Sequence, residues 1–396
     1  MKLNILLVHN YYKVPGGEDT VVANEKELLE SYGHKVRLYA RSNQELEKFS
    51  FVQKLLLPFS SIFSLKTYRE VKKLIREEKI DIVHVHNTLS LISPSVYYAA
   101  FCCHVPVVQT IHNFRMLCPA AILLRNGKIC EECIEEGLKC AVQHGCYRNS
   151  KLQTLGSAAI LKIHRMMGTY RKIFYICLTE FNREKLLSLN KNGKQVIEPE
   201  NIFVKPNFVN VDKVFAETIK REHYIYVGRF DNLKGVRILL EAWKKFPDKK
   251  LLFCGSGGEE ETWAQTYIER YGMKQVYLLG QQPQENVLTL LSESKALIVP
   301  TLCYEGQPMV ILESYATGTP VLSSDIGNAG DMVVEGVTGL HFKTGDVHAL
   351  QEVVEKFEKQ TDKIWKTRDA YEEKYTPDKN YQLLMGIYRR IQEKSR

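Results

Sequence analysis

The sequence predicts an α/β protein made of two parallel-sheet halves in series, and three observations carry that expectation. Apolar runs of strand length alternate with segments of helical periodicity along the chain, the signature of parallel sheets with crossover helices. The alternation pauses at Lys205-Pro206-Asn207-Phe208-Val209-Asn210, whose Pro and Asn residues suit a linker, and then starts afresh. The length of 396 residues exceeds one ordinary core and fits two domains.

In the first half the strand-like runs cover residues 3–9, 35–40, 82–86, 106–111, 174–178 and 202–204, with helical patterns over 18–32 and 68–78. In the second half they cover 223–228, 250–254, 276–279, 296–299 and 320–323. A last helical stretch, 379–392, has no strand to follow and is expected to cross back onto the first domain. The expected domains are therefore 1–205, with a cysteine-rich insertion at about 115–150, then 206–378, then the closing helix in 379–396. Two adjacent α/β units without a shared motif imply a ligand cleft between their sheet edges.

Composition narrows the class. Hydrophobic residues make up 44% and charged residues 25%, as in an ordinary globular protein. There is no spanning-length apolar run, and the opening MKLNILLVHNYY reads as a buried first strand rather than a secretion signal. Ten cysteines without such a signal point to reduced thiols and a cytoplasmic location. The net charge of +8 is uneven: residues 1–205 hold 29 Lys and Arg against 19 Asp and Glu, and the remainder holds 25 against 27. A basic first half suits an anionic membrane face or a phosphate-bearing acceptor, with solvated helix lysines as the plainer reading. No nucleic-acid motif accompanies the charge, so nucleic acid is not an expected partner.

The most informative segment is PTLCYEGQPMVILE, residues 300–313, which follows the apolar run ALIVP and so starts at a strand's carboxyl end. Pro308 suits the first helical position, where its missing N–H costs nothing. The N–H groups of Met309 and Val310 then point out of a helix N-terminus, a natural anion site. Glu305 lies in the loop and Glu313 in the helix, so one carboxylate can face a sugar and the other a ribose. A second segment, GRFDNLKG at 228–235, also follows a strand; Arg229 and Lys234 can bracket a diphosphate, and Gly228 permits a tight turn. A third, CGSGG at 254–258, places Gly255 and Gly257 in a turn that lets a backbone or base approach closely.

In the first half, Gly16 and Gly17 follow the first strand and open a helix, without the dinucleotide-binding pattern of glycines. His84, His86 and His112 cluster at strand ends; the first two read as structural, and His112 as facing the cleft. Cys118, Cys130, Cys133, Cys140 and Cys146 crowd one segment. The pair in Cys130-Glu131-Glu132-Cys133 has the knuckle spacing of zinc, with Cys118, Cys140 or Cys146 as further ligands. Unliganded thiols, disulfides and an iron–sulfur cluster are the alternatives. Residues 49–69, FSFVQKLLLPFSSIFSLKTYR, join apolar bulk to Lys54, Lys66 and Arg69 with no acidic residue. They read either as a membrane-interface segment, making the protein peripheral, or as a buried helix pair.

Together, the GGE after the first strand, His112, GRFDNLKG and the pair Glu305 and Glu313 resemble the retaining glycosyltransferases of family 4, the group 1 glycosyl transferases of GT-B fold. The resemblance spans nearly the whole chain and is most specific over EGQPMVILESYATGTPVLSSDIGNAGDMVVEGVTGLHF. It implies two Rossmann-like domains facing across a cleft, with the acceptor on the N-terminal side and a UDP- or GDP-linked sugar on the C-terminal side. It implies that Arg229 and Lys234 bind the donor diphosphate and that Glu313 binds the ribose. Glu305 would contact the transferred sugar, helped by N–H groups at Gln307 and at Met309 and Val310, with Gly306 and Pro308 also at the donor. His112 would lie near the reacting sugar, and Gly16 and Gly17 near phosphate and acceptor. Where family members often carry Phe or another bulky residue, this chain has Gln307. The sequence has no Asp-x-Asp, so fixed cations rather than a metal are expected to neutralise the leaving group. The expected activity is hexosyl transfer to a glycan or lipid-linked acceptor in cell-surface polysaccharide or glycoconjugate synthesis, with no catalytic cofactor. The alternatives are a GT-B nucleotide-sugar epimerase and a non-catalytic nucleotide-sugar-binding member.

Overall fold

The computed structural model describes residues 2–13, 16–191, 193, 195–211, 221–360 and 362–395. The chain forms two compact units. The first comprises Met1–Arg125, Cys130–Asn207 and Pro377–Arg396; the second comprises Asn126–Ile129 and Phe208–Thr376.

The strands of the first unit's sheet are β1 (Asn4–Tyr11), β2 (Lys35–Ser42), β3 (Ile82–Val85), β4 (Val107–Ile111), β7 (Phe174–Cys177) and β8 (Ile202–Val204); between β4 and β7 in the chain come two-residue strands β5 (Leu124–Arg125) and β6 (Lys128–Ile129), outside that sheet. The six-stranded sheet runs β2-β1-β3-β4-β7-β8, all parallel. Its inner strands are apolar on both faces because crossover helices cover both. On one face Ile5, Leu7, Ile82, Val108 and Ile176 meet Leu384, Ile387, Tyr388 and Ile391 of the helix Pro377–Ser395. That helix presents apolar residues three or four apart, which is how it fills a groove with one side.

The second unit holds β9 (His223–Val227), β10 (Lys250–Cys254), β11 (Val276–Leu278), β12 (Ser294–Val299), β13 (Val321–Ser324) and β14 (Gly339–Phe342), in the order β11-β10-β9-β12-β13-β14, again all parallel. Alternate residues go to opposite faces. Tyr224, Tyr226, Leu251 and Phe253 pack with Leu239 and Trp243 on one side, and Ile225, Leu252 and Leu297 pack with Ile311 and Leu312 on the other. The chain builds outward from β9 to β11, then returns and builds the other way from β12. Strand order therefore reverses between β9 and β12, where loops at the carboxyl ends diverge and leave room for a ligand.

The α/β class with two Rossmann-like parallel sheets is the observed fold. Three local expectations change. The edge strand β14 was not anticipated. Pro308 is not the first helical residue but the N-cap, with extended backbone (φ −68°, ψ 107°), and the helix is Met309–Ala316. Residues 49–69 are not a buried helix pair: they form helices Phe51–Ile62 and Leu65–Glu77, and Phe51 and Phe59 are 82% and 70% exposed. Among the described residues no helix is long and apolar enough to cross a membrane.

Candidate active site

In the second unit, three loops at the carboxyl ends of β9, β10 and β12 are tied together by their backbones. After β9, the Asp231 side chain accepts from the Leu233 N–H at 2.8 Å and tightens a turn over Asn232–Lys234. Gly235 ends that turn at φ +74°, and a Cβ there would stand 1.8 Å from the carbonyl oxygen of Pro300. Only glycine allows the β9 loop to lie against the end of β12. The Leu302 N–H donates to the Leu233 carbonyl at 2.8 Å across the same seam. After β10, Gly255 has φ +147°, and a Cβ would fall 1.8 Å from the Gly228 oxygen. The Phe230 N–H donates to the Ser256 carbonyl at 3.1 Å, so the turn at 254–258 and the GRF segment form one wall. Close backbone approach, rather than a tight turn alone, explains the glycines at 235 and 255, whereas a Cβ at Gly228 would meet the Tyr226 side chain.

Side chains project from this frame. The Lys234 ammonium donates to Glu305 Oε2 at 2.6 Å. Burial works against that ammonium, but Glu305 beside it wins and holds the pKa above its ordinary value, with Arg229 pressing the other way. Arg229 itself is exposed, its carbonyl fixed by the Tyr226 hydroxyl at 2.8 Å. The loop carrying Glu305 is pinned by Asn328, whose amide donates to the carbonyls of Glu305 and Gly306 at 2.7 and 2.6 Å. Gln307 is buried, and Pro308 caps the following helix. Met309 and Val310 occupy its first turn, where helix geometry supplies no acceptor for the N–H groups. Farther along, Gln284 donates to the Glu313 carboxyl at 3.2 Å. Burial pushes that carboxyl up to about 7. The second unit thus joins two cations, a helix N-terminus and two carboxylates at a strand-order reversal. Such a set can hold a diphosphate and hydroxyl-bearing rings.

In the first unit, His112 stands at the end of β4 on the wall of a solvent-open pocket of about 590 Å³ shared with Tyr97, Gln109, Asn113 and Arg115. His86 Nδ1 lies 3.0 Å from His112 Nε2. Burial, then the neighbouring His86 and His9, hold His112 well below the ordinary histidine range, so it is neutral at pH 7. His84 and His86 are enclosed: His84 lies 2.7 Å from both the Tyr388 hydroxyl and Thr110 Oγ1, and 2.9 Å from Glu25. Glu25 in turn meets Lys205 at 3.1 Å.

At the turn after β1, Gly16 is the N-cap of the helix Gly17–Ser31 and its N–H donates to Asp19 at 3.0 Å. Asp19 also sits 2.7 Å from His9 Nε2. Glu18, beside Tyr12 at 3.3 Å and hydrogen-bonded to Asn113, is raised to about 8 by burial and then by Asp19. Sequence reasoning named the two glycines and passed over Glu18, Asp19 and Asn328. The GGE triplet was the available signal for Glu18; Asn328 gave none, because its task is to hold a distant loop. Cys118, Cys130, Cys133, Cys140 and Cys146 line one separate small pocket in the first unit.

Two doubly wound units, each built on a six-stranded parallel sheet, are the architecture of GT-B proteins. Sequence profiles agree: Glycosyltransferase Family 4 matches residues 15–213 and Glycosyl transferases group 1 matches residues 211–376. The chain belongs to the family 4, group 1 glycosyltransferases. It is similar to the phosphatidyl-myo-inositol mannosyltransferase of Mycolicibacterium smegmatis, at 23% identity over 83% of this chain and 77% of the relative. It is also similar to the Escherichia coli UDP-Gal:alpha-D-GlcNAc-diphosphoundecaprenol alpha-1,3-galactosyltransferase, at 24% identity over 84% and 82%. Among solved structures, Anabaena HepE in complex with UDP-glucose shares the fold, with a TM-score of 0.66 and 16% identity over 97% of this chain and 99% of that one.

Proposed function

We propose that the protein transfers a hexose from a UDP-linked donor to a lipid-linked glycan acceptor, with retention of configuration and without a catalytic metal. The observation that carries the donor half is the Lys234–Glu305 pair, 2.6 Å apart, beside Arg229 and the Pro308 helix start. A donor diphosphate engages Lys234 and Arg229, and the helix N-terminus adds its partial positive charge. Lys234, drawn toward phosphate, loosens from Glu305, whose carboxylate then accepts from sugar hydroxyls. Glu313 takes the ribose hydroxyls, while Gly255 and Gly257 leave space for the base. UDP is favoured over GDP because the similar Escherichia coli galactosyltransferase uses UDP-Gal and the similar HepE structure holds UDP-glucose.

The bond from the anomeric carbon to the diphosphate breaks while the acceptor hydroxyl adds on the same face. The acceptor's proton passes to the departing phosphate oxygen. The cations neutralise the charge that develops there, and loss of one such group typically costs about 3–4 kcal/mol of transition-state stabilisation. His112, held neutral at pH 7, can offer a sugar hydroxyl a hydrogen bond rather than a charge. The acceptor class rests on the lipid-linked substrates named for both relatives and on the exposed apolar face of Phe51–Ile62 beside Lys54, Lys66 and Arg69. That face suits an anionic bilayer and a peripheral placement at the cytoplasmic side, in the synthesis of a surface glycan.

The test is a thermal-shift panel of UDP- and GDP-sugars, followed by product analysis with the stabilising donor and polyprenyl-diphosphate sugars in the presence of a chelator. A new glycosidic linkage with the donor's anomeric configuration is expected, and Lys234→Ala should abolish the shift. A changed free nucleotide sugar without a linkage would make the protein an epimerase. Turnover that stops on chelation and returns with magnesium overturns the metal-free mechanism.

A further inference from the structure

The cysteine-rich segment of the first unit has little to hold it. Its elements are the helices Glu132–Glu135 and Lys139–His144 and the two-residue strand Leu124–Arg125. Its helices share a small apolar cluster of Cys133, Cys140 and Ala141, with Leu138 and Cys146 packed alongside, and Leu123 and Ile134 are also buried. A segment of this size cannot bury enough apolar surface to order itself, and small units in that position use cross-links or metals. Yet the chain adopts left-handed backbone here at non-glycine residues, Ala121 (φ +70°), Leu123 (φ +49°) and Asn126 (φ +50°), which needs a compensating interaction.

Five thiols converge on one pocket, and their contacts sort them. Cys118 and Cys133 are neighbours, and Cys146 lies near Cys133 as well. Cys146 in turn feels Cys118 and Cys130. Cys140 lines the same pocket, but its thiol is taken up by a hydrogen bond to Glu136 at 3.7 Å. The left-handed residues shape the turn that brings Cys118 to the pocket, where the Ala121 N–H donates to the Cys118 carbonyl at 2.8 Å. Arg125 lies close to Cys130 and Cys146 while it holds Glu132 at 2.7 Å.

We propose that Cys118, Cys130, Cys133 and Cys146 form a tetrahedral structural zinc site, with Cys140 outside it. Four thiols release their protons to solvent as the metal binds, giving a centre of net charge −2. The Arg125 guanidinium, near Cys130 and Cys146, stabilises that charge, the role of outer partners at metal sites. No trio of these sulfurs lies wholly within 4.8 Å, so binding draws the short loops slightly inward. Among the described residues one trio does meet that spacing, Glu25, His84 and His86, but Lys205 already supplies the cation there at 3.1 Å from Glu25.

The experiment is metal analysis of the full chain purified without chelator, with mercurial titration to release bound metal. About one zinc per chain is expected, freed as the thiols react. Protein stripped under reducing conditions should recover that stoichiometry with ZnCl2, and with CoCl2 should show the absorption of a tetrahedral thiolate complex. Cys140→Ser should keep the zinc, whereas Cys146→Ser should bind it at least about tenfold more weakly. Wild-type protein that is folded, metal-free and unresponsive to ZnCl2 overturns the site. So does disulfide pairing of these cysteines, or iron with acid-labile sulfide in place of zinc. Zinc loss in Cys140→Ser matching that in Cys146→Ser would overturn the ligand assignment.

Discussion

Replacing Glu313 by Gln should make the second unit more stable at pH 8 and leave it nearly unchanged at pH 5. Burial raises the Glu313 carboxyl from 4.5 to about 7, with the Gln284 hydrogen bond only partly opposing it. Between those values the folded protein keeps a proton that the unfolded chain has released, so stability falls as pH rises through the window and levels off above 7. Each pKa unit is worth about 1.4 kcal/mol, or about 3 kcal/mol in all. The residue retains some exposure, and solvent access trims the expected effect to about 2 kcal/mol. Glutamine has no proton to lose, and its amide oxygen still accepts from Gln284. The assay is urea unfolding followed by tryptophan fluorescence, because all three tryptophans, Trp243, Trp263 and Trp365, belong to the second unit. Subtracting wild type from variant at each pH cancels the other titrating groups. Equal differences at pH 5 and pH 8 would refute the reasoning. The same variant should bind donor more weakly, a trade of function for stability expected where a carboxylate is buried for use.

Three further outcomes follow from the same geometry. Gly235→Ala should cost more than about 3 kcal/mol, since its Cβ meets the Pro300 oxygen at 1.8 Å, whereas Gly16→Ala, with open space around it, should stay within about 0.5 kcal/mol; urea midpoints decide both. Glu25→Gln should destabilise the first unit by about 3–5 kcal/mol by stranding buried Lys205. Burial alone would raise the Glu25 carboxyl, but Lys205 and His84 hold it well below its ordinary value, so its stabilising share is present above pH 4.5 and fades as pH falls through the lowered value. Circular dichroism between pH 3 and 7 should show a steeper acid loss for wild type than for the variant. Changing Phe51, Leu55 and Phe59 together to Ser should cut flotation with phosphatidylglycerol vesicles at least about tenfold, each ring or chain being worth about 1.5–3 kcal/mol when buried. Absence of wild-type flotation at low salt would remove the membrane from the account.

The sheets were legible because their inner strands carry apolar residues on both faces: HYIYV and KLLFC cannot be solvated from either side. The strand β14 escaped notice because Gly339-Leu340-His341-Phe342 is short, opens with glycine and carries a histidine. Its glycine is there for tertiary reasons, as a Cβ would fall 1.9 Å from the Val321 oxygen. The donor-side residues could be read from local signals, a strand end followed by a helix start with charges at short spacing. Pairings across the chain could not. Glu25 and Lys205 are 180 residues apart, and nothing near either one announces the other. The outward apolar face of Phe51–Ile62 was equally out of reach, because composition fixes how greasy a helix is and not which way it looks.

The helix Pro377–Ser395 has a consequence for biosynthesis. It furnishes Leu384, Ile387, Tyr388 and Ile391 to the interior of the unit that the ribosome makes first, yet it emerges only after the entire second unit. Until then the early half waits with an uncovered oily groove over β1 and β3, exposed to chaperones and to sticking. The later half needs nothing from the tail for its own interior, so it is positioned to mature sooner, and the order of completion runs against the order of translation.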